Sequence, residues 1–280
     1  MLALLKRNFL LYFRNRSGVF FSLLGALISF VLYIIFLQKN LTDAWAQLPN
    51  SGPVLNNWLM SGTLAVTGIT TSLAALTQLV KDREHQVDQD LYLSDQGKWR
   101  LPFSYLTSAI IISFFMQVLM YVLMCGYFRE VPALSLLPEV LLIMLFSSLL
   151  SSLVNAIFVH FFQSVDSLGK FATIVGTASG FLVGTYVPLG VLPDFAQLLM
   201  KCTPATYIAS LYRQVLMKEA VSETFKGRDD LLREFQEKMG VQLKWQALLT
   251  KEQTYLIVLG GILLALGIWV SLAKRSNKRK

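Results

Sequence analysis

The clearest pattern in the sequence is the separation of long apolar stretches from charged residues. Six stretches contain no Asp, Glu, Lys or Arg: Ser17–Gln38, Ala44–Val80, Leu101–Phe128, Val140–Val165, Phe171–Pro193 and Gln253–Ala273. Each is long enough to hold the roughly 20 residues with which a helix crosses about 30 Å of hydrocarbon. A charge at the bilayer centre costs about 2.5–3.5 kcal/mol, so the exclusion of charge indicates lipid-embedded helices. The pattern predicts an all-α polytopic membrane protein with six transmembrane helices.

Four segments outside these stretches subdivide the single transmembrane domain that we predict for residues 1–280. Residues 1–16 have an amphipathic pattern, which predicts an interfacial helix before the first span. Residues 81–102 form a polar connection between the second and third spans. Prolines interrupt residues 188–217 and predict a re-entrant outer hairpin between spans five and six. Residues 218–251 are highly charged and predict an extracytoplasmic helical segment whose role the sequence leaves open.

The basic residues predict the orientation of the chain, whose formal net charge is +8. Short connections on one side carry only Lys39 and Arg129, whereas the tails and the alternate connections carry most of the others. By the positive-inside rule both termini are cytoplasmic, in a multi-pass protein of the cell membrane. Anionic lipid headgroups of the bilayer account for the positive charge, so no nucleic-acid partner is implied. The residues on the cytoplasmic side are Lys6, Arg7, Arg14, Arg16, Lys81, Arg83, Lys98, Arg100, Lys170, Lys274, Arg275, Lys278, Arg279 and Lys280.

Motifs for chemistry within this chain are missing from the sequence. It contains no phosphate loop, no His or Cys pairs at metal-ligand spacing and no nucleophile elbow. We therefore predict no catalytic residue, no metal site and no cofactor bound by the chain. Energy for uphill transport must come from a partner or an ion gradient. His160 is an ionisable side chain inside a predicted span, but no carboxylate accompanies it there, and its role stays open.

Polar and small residues form stripes on two of the predicted spans. On the second span, hydroxyl side chains including Thr67 and Thr71 share one side; they either pack helices together or line a transport path. On the fifth span, Gly176, Gly180 and Gly184 recur every four residues, which predicts close helix packing.

The connection between spans two and three contains a possible docking surface. Val87 and Leu91 lie one helical turn apart among acidic residues. Such a pattern predicts a short helix that presents an apolar contact to a soluble partner. The alternative interpretation is a solvated connector.

In its order of features the chain resembles the permease subunits of type-2 ABC exporters, and the resemblance covers nearly its whole length. The residues that carry it are Arg14 and Arg16 before the first span, Trp58–Gly62, Asp82–Glu84 with Leu91–Ser94, Gly180–Gly184 with Val187–Pro188 and Leu192–Pro193, and Pro204–Tyr207 with Arg213. The chain departs from the family pattern at Asp95–Gly97, where a proline is common, and in the length of residues 218–251.

The resemblance implies a fold, partners and roles for individual residues. Two permeases pair, either two copies of this chain or this chain with a homologous permease, and each contacts one subunit of a cytoplasmic ATPase pair, which binds ATP and magnesium. The residues implied at the ATPase contact are Glu84, Val87, Asp88, Leu91 and Tyr92. Those implied at an outer gate are Pro188, Leu192 and Pro193, and those proposed for the substrate pathway are Thr67, Thr71 and Phe181.

We therefore predict a permease subunit that is not an enzyme by itself and that moves a hydrophobic or amphipathic substrate outward. The sequence does not distinguish a drug, a lipid or an antimicrobial peptide as that substrate. Two other functions stay open: an ATP-independent transporter or channel, and a membrane sensor subunit.

Overall fold

The computed structural model describes residues 1–45, 51–93, 97–129 and 133–279. In this part of the chain there are α-helices and short helical turns but no β-strand, so the all-α prediction is confirmed. A π-helical turn, Tyr33–Leu37, joins α2 to α3, and 3₁₀ turns occupy Leu134–Leu136 and Leu189–Val191. The α-helices are α1 Leu2–Arg14, α2 Arg16–Leu32, α3 Gln38–Ala44, α4 Ser51–Glu84, α5 Val87–Leu93, α6 Gly97–Phe128, α7 Leu137–Val159, α8 Val165–Leu182, α9 Asp194–Lys201, α10 Pro204–Leu216, α11 Lys218–Thr224, α12 Asp229–Lys238 and α13 Lys251–Arg279.

Five helical segments among the described residues are long and apolar enough to cross a membrane. They are Arg16–Ala44, Ser51–Glu84, Trp99–Phe128, Leu134–Val159 and Lys251–Arg275. These segments match five of the six predicted stretches. On the last of them, Leu256, Leu263 and Leu264 are each 68% exposed, as expected of a surface that faces lipid. The sixth stretch corresponds to α8, which lies outside this set because Asp166, Lys170 and several small or polar residues lower its mean hydropathy.

Helix α4 lies at the centre of the bundle, where it contacts α2, α6, α7, α8 and α10. All side chains from Trp58 to Gly68 are buried. Most of its buried hydroxyls are compatible with this burial because they donate hydrogen bonds to carbonyls one turn earlier in the same helix, whereas the Thr63 hydroxyl has no partner among the described residues. Examples are Ser61 to Asn57 O at 2.7 Å and Thr67 to Thr63 O at 2.8 Å. Small residues with internally satisfied hydroxyls allow neighbouring helices to approach closely.

One end of the bundle collects most of the basic residues from which the orientation was predicted, and we call it the basic end. Its apolar core includes Leu4 of α1, Val80 of α4, Leu101 of α6, Leu168 of α8 and Trp269 of α13. The first helix and the end of the last helix therefore lie at the same end of the bundle.

The opposite end, which we call the capped end, is covered by α11, α12 and the segment that follows them. Its core includes Tyr33, Trp58, Phe225 and Phe235. The indole Nε1 of Trp58 donates to the carbonyl of Met239 at 2.7 Å, which ties the cap to the start of α4. Residues 218–251 are thus a folded part of the protein that packs on the transmembrane helices.

Between α8 and the cap, the chain reverses and returns as α9 and α10. The reversal begins at Gly184, whose φ of +72° lies in the left-handed region that glycine adopts without strain. Helix α10 then packs against α4, α7 and α13.

The reversal is held by Arg213 of α10, one of the largest fully buried side chains. Its guanidinium donates to the carbonyls of Val183 and Gly184, both at 3.0 Å, and of Gly240 at 3.1 Å. It also lies 5.1 Å from the ring centroid of Trp58, a cation–π contact. One side chain thereby joins the end of α8, α10, the cap and α4.

We predict that Arg213→Met destabilises the protein strongly. The substitution removes three charge-assisted hydrogen bonds and leaves their carbonyls buried, which costs at least about 3 kcal/mol. In mild detergent the Tm should fall by about 6–12 °C. The matched control Arg233→Met changes an exposed side chain of α12 and should shift the Tm little. Equal Tm values for the two variants would contradict the role given to Arg213.

Candidate functional site

At the basic end, the short helix α5 joins the ends of α4 and α6. It rests on the bundle with one side: Leu91 packs on the basic-end core, Val87 is half-buried and Asp88 is buried. Gln89 and Asp90 face solvent. The surface that α5 offers to another protein is therefore mainly polar and acidic.

The remaining residues predicted for the ATPase contact are Glu84 and Tyr92. The side chain of Tyr92 lies outside the described residues. The Glu84 carboxylate accepts a hydrogen bond from Val165 N–H at 3.0 Å, at the start of α8. A carboxylate at a helix N-terminus is favourable because of the helix dipole. The end of α4, just before α5, is thus connected directly to α8.

Arg83 strengthens this connection. Its guanidinium donates to the carbonyl of Phe162 at 2.8 Å and to that of His160 at 3.3 Å. Burial, with a smaller contribution from Arg83, lowers the pKa of the His160 side chain below its ordinary value. His160 lies just past the end of α7. In the described ranges no group of three or more His, Cys, Asp or Glu side chains could hold a metal ion.

A buried ion pair fixes α1 to the same end of the bundle. Arg7 donates to both carboxylate oxygens of Asp82, at 2.8 and 2.9 Å, and the Asp82 side chain is 4% exposed. Tyr105 and Gln78 donate to the same carboxylate. The hydrogen bonds to Asp82 raise the pKa of Arg7 above its ordinary value. Sequence reasoning missed this pair because its partners lie 75 positions apart.

A groove of about 780 Å³ lies between α2, α4 and α8. Phe181, one of the residues proposed for a substrate pathway, stands in its wall and is 55% exposed. The other two proposed residues, Thr67 and Thr71, are fully buried and do not line the groove. Their neighbours Thr70 and Thr77 do line it. Of the three residues proposed for the pathway, only Phe181 therefore lines the groove, together with Thr70 and Thr77.

The three glycines of the predicted stripe have different surroundings. Gly176 lies opposite Gly25 of α2, so closely that a Cβ on Gly25 would be 3.3 Å from the Gly176 carbonyl oxygen. The ring of Tyr186 covers Gly180 and leaves no room for a side chain there. Gly184 lies beyond α8, in the turn described above. Close approach of another helix thus occurs at Gly176.

The residues predicted for an outer gate lie at the capped end, on the turn between α8 and α9. Pro188 is buried, Leu192 is half-buried, and Pro193 is exposed and precedes α9. A Cβ on Gly190, within the 3₁₀ turn, would lie 2.6 Å from the Cα of Lys238 in α12. This turn therefore packs directly on the cap.

Comparison with known protein families gives a match across these features. Residues 38–269 match a family model described as "ABC-2 family transporter protein". The matched range begins in α3 and ends within α13, so it contains the central helix, α5, the groove walls on α4 and α8, and the cap. No curated protein matches the chain.

We predict that Asp82→Asn releases α1 from the bundle. An amide cannot balance the charge of Arg7, and breaking a buried ion pair by removing one partner costs about 3–5 kcal/mol. Because the Arg7 side chain is 30% exposed, we expect a cost at or just below the lower end of that range. Hydrogen–deuterium exchange of the amides in Leu2–Arg14 should become about 100-fold faster.

The control is Asp166→Asn, which removes an exposed ion pair with Lys170. Exposed pairs contribute roughly 0–1 kcal/mol, so exchange in α1 should stay as in the wild type. Unchanged exchange in the Asp82→Asn protein would show that the ion pair does not hold α1.

Proposed function

Because this chain belongs to the ABC-2 family of transporter proteins, we propose that it is the membrane-spanning permease subunit of an ATP-driven exporter. The observation that carries the proposal is the position of α5. This helix joins the ends of two long apolar helices and exposes polar residues at the end of the bundle that collects the basic residues. A cytoplasmic ATPase subunit would bind there and move α5. The chain supplies transport and not catalysis.

In the proposed topology, α8 is a sixth transmembrane helix. Its start is bonded to Glu84 at the basic end, and Arg213 binds the carbonyls just beyond its last residue at the other end. Its 18 residues span about 27 Å, close to the hydrocarbon thickness of a bilayer. With six spans both termini are cytoplasmic in the cell membrane, and α1 lies along the inner interface.

The proposed re-entrant hairpin consists of α9 and α10. The chain passes from the turn Leu189–Val191, which packs on the cap, through α9 and α10 to Met217 in the capped-end core. Between these points α10 packs on α4 and α7, so its backbone is surrounded by protein. The hairpin and the cap, residues 218–251, would then face the outside.

The proposed mechanism is a population shift between two arrangements of the permeases. ATP, bound with magnesium by the ATPase pair, would draw the ATPase subunits together and displace α5. Glu84 and Leu91 would transmit the displacement to α8 and to the basic-end core. Val87, Asp88 and Tyr92 would move with α5, Val87 and Asp88 from the side that rests on the bundle. At the far end of α8, the turn containing Pro188, Leu192 and Pro193 would open as an outer gate.

The groove supports export of a hydrophobic or amphipathic substrate. Its wall includes Phe181, Phe21 and Ile28, and it lies on a side of the bundle that a second permease would cover. The second permease, another copy of this chain or a homologous one, would complete the path. Thr67 and Thr71 would support the groove from inside α4 and not contact the substrate.

The test is purification of the tagged protein from its native membrane in mild detergent. We expect a stoichiometric subunit with ATPase activity to remain bound. The double variant Gln89→Lys/Asp90→Lys changes the exposed face of α5 and should reduce recovery of that subunit at least about tenfold, corresponding to about 1.4 kcal/mol. The control Glu223→Lys makes a charge reversal in the cap, at the other end, and should leave recovery unchanged.

Other outcomes favour the two other functions. A wild-type protein that purifies alone and transports its substrate without ATP would be an ATP-independent transporter or channel. A protein that binds a ligand through its cap and transports nothing would be a sensor subunit. Equal loss of the ATPase from both variants would show that α5 is not the contact.

A further inference from the structure

A second cavity, of about 700 Å³, opens at the basic end next to the groove. Its walls come from α1, α4 and the start of α8. We call it the chamber. The chamber and the groove share the wall residues Gly18, Ala74 and Thr77, so the two cavities adjoin, and we call them together the cleft. The cleft runs from the basic end along α2 towards the capped end.

The groove part of the cleft is suited to an acyl chain. None of the residues described as lining it carries a charge. Its hydroxyls are occupied within their own helices: Thr70 donates to Val66 O at 3.2 Å, and Thr177 to Thr173 O at 3.0 Å. At 1.5 Å per residue, the wall from Gly18 to Leu37 is about 28 Å long, which accommodates a fatty acyl chain.

The chamber part is different because charged side chains face it. Lys81 and Glu84 lie three residues apart on α4 and hence on the same face, with about 5–6 Å between their Cβ atoms. Across the described ranges the Lys81 ammonium has no ion-pair or hydrogen-bond partner. Glu84 accepts one hydrogen bond, from Val165 N–H, and is otherwise exposed. His85 also lines the chamber.

Other polar side chains of the chamber are already engaged with protein partners. Asn8 donates to Ser108 at 3.2 Å, Tyr12 shares a hydrogen bond with Ser22 at 2.8 Å, and Gln78 donates to Asp82 at 2.7 Å. The opposite charges of Lys81 and Glu84 are therefore the main groups with which the chamber can hold a ligand.

We propose that the cleft binds a zwitterionic phosphate amphiphile, an inference that rests on the proposed export function and specifies its substrate class. The phosphate pairs with Lys81, the cationic group of the headgroup pairs with Glu84, and the acyl chain lies in the groove. A purely anionic headgroup would be repelled by Glu84 and a purely cationic one by Lys81. A phosphoethanolamine headgroup, whose two charges are separated by a short linker, matches both residues.

The experiment measures binding of three single-chain probes to the full-length protein in dodecyl maltoside by native mass spectrometry. All three carry 16 carbons in the chain: lysophosphatidylethanolamine, lysophosphatidic acid and hexadecylamine. We expect the wild type to bind the zwitterionic probe at least tenfold more tightly than the other two.

Single variants assign each charge to its residue. The Lys81→Gln protein should no longer bind lysophosphatidylethanolamine more tightly than hexadecylamine, whereas the Lys81→Arg protein should keep this preference. The Glu84→Gln protein should no longer bind lysophosphatidylethanolamine more tightly than lysophosphatidic acid. Thr70→Phe places a ring in the groove and should weaken the binding of all three probes to a similar degree. The control Lys170→Gln alters an exposed charge on α8 that does not line the chamber and should change nothing.

Equal binding of the three probes by the wild type would overturn the proposal, and so would unchanged preferences in both Lys81→Gln and Glu84→Gln. Because probe binding is measured without the ATPase, a missing headgroup preference does not by itself contradict the proposed exporter function. If the ATPase still copurifies while the headgroup preference is missing, the export function stands and the substrate class is wrong.

Discussion

The burial of one guanidinium, that of Arg213, constrains the half of the structure furthest from α5. A buried charge is tolerated only when hydrogen bonds replace the water it has lost. Here the acceptors are the carbonyls of Val183 and Gly184, in the turn after α8, and of Gly240, in the cap. Two of these carbonyls lie just past the last residue of α8, where helical bonding stops. The reversal after α8 and the cap therefore depend on the same side chain.

The other end of the bundle depends on a comparable buried pair, Arg7 with Asp82. It holds α1 against α4 and α6, next to the start of α8. Helix α8 is thus bound at both ends: Glu84 contacts its first turn and Arg213 contacts the turn after its last residue. A displacement of α5 would reach the capped end through this helix, while α4, which contacts α2, α6, α7, α8 and α10, stays as the fixed centre.

Much of the fold could be predicted from the sequence because exclusion of charge is a local property. It located five helices that could span a membrane, and the spacing of Val87 and Leu91 located the short helix α5. The sixth predicted span was harder to recognise from its composition, because α8 combines an apolar run with Asp166, Lys170 and several glycines.

The details of the site could not be predicted because they depend on contacts between distant parts of the chain. A helical pattern shows that Thr67 and Thr71 share a side of α4, but not that other helices cover that side while Thr70 and Thr77 face the groove. Arg213 was noticed as part of a motif, yet its acceptors lie 27 to 30 positions away and follow from the reversal of the chain. The four-residue glycine spacing did not reveal that Tyr186 covers Gly180, because that contact depends on how the chain reverses after α8.

ATP-driven export through this chain requires α5 to face the cytoplasm and the cap to face outside, and cysteine labelling in intact cells tests this orientation most directly. After replacement of Cys125 and Cys202, single cysteines are introduced as Asp90→Cys in α5 and Glu223→Cys in the cap. A membrane-impermeant maleimide should label the Glu223→Cys protein in intact cells and the Asp90→Cys protein only after permeabilisation. Labelling of Asp90→Cys in intact cells would contradict the account, because no cytoplasmic ATPase could then reach α5.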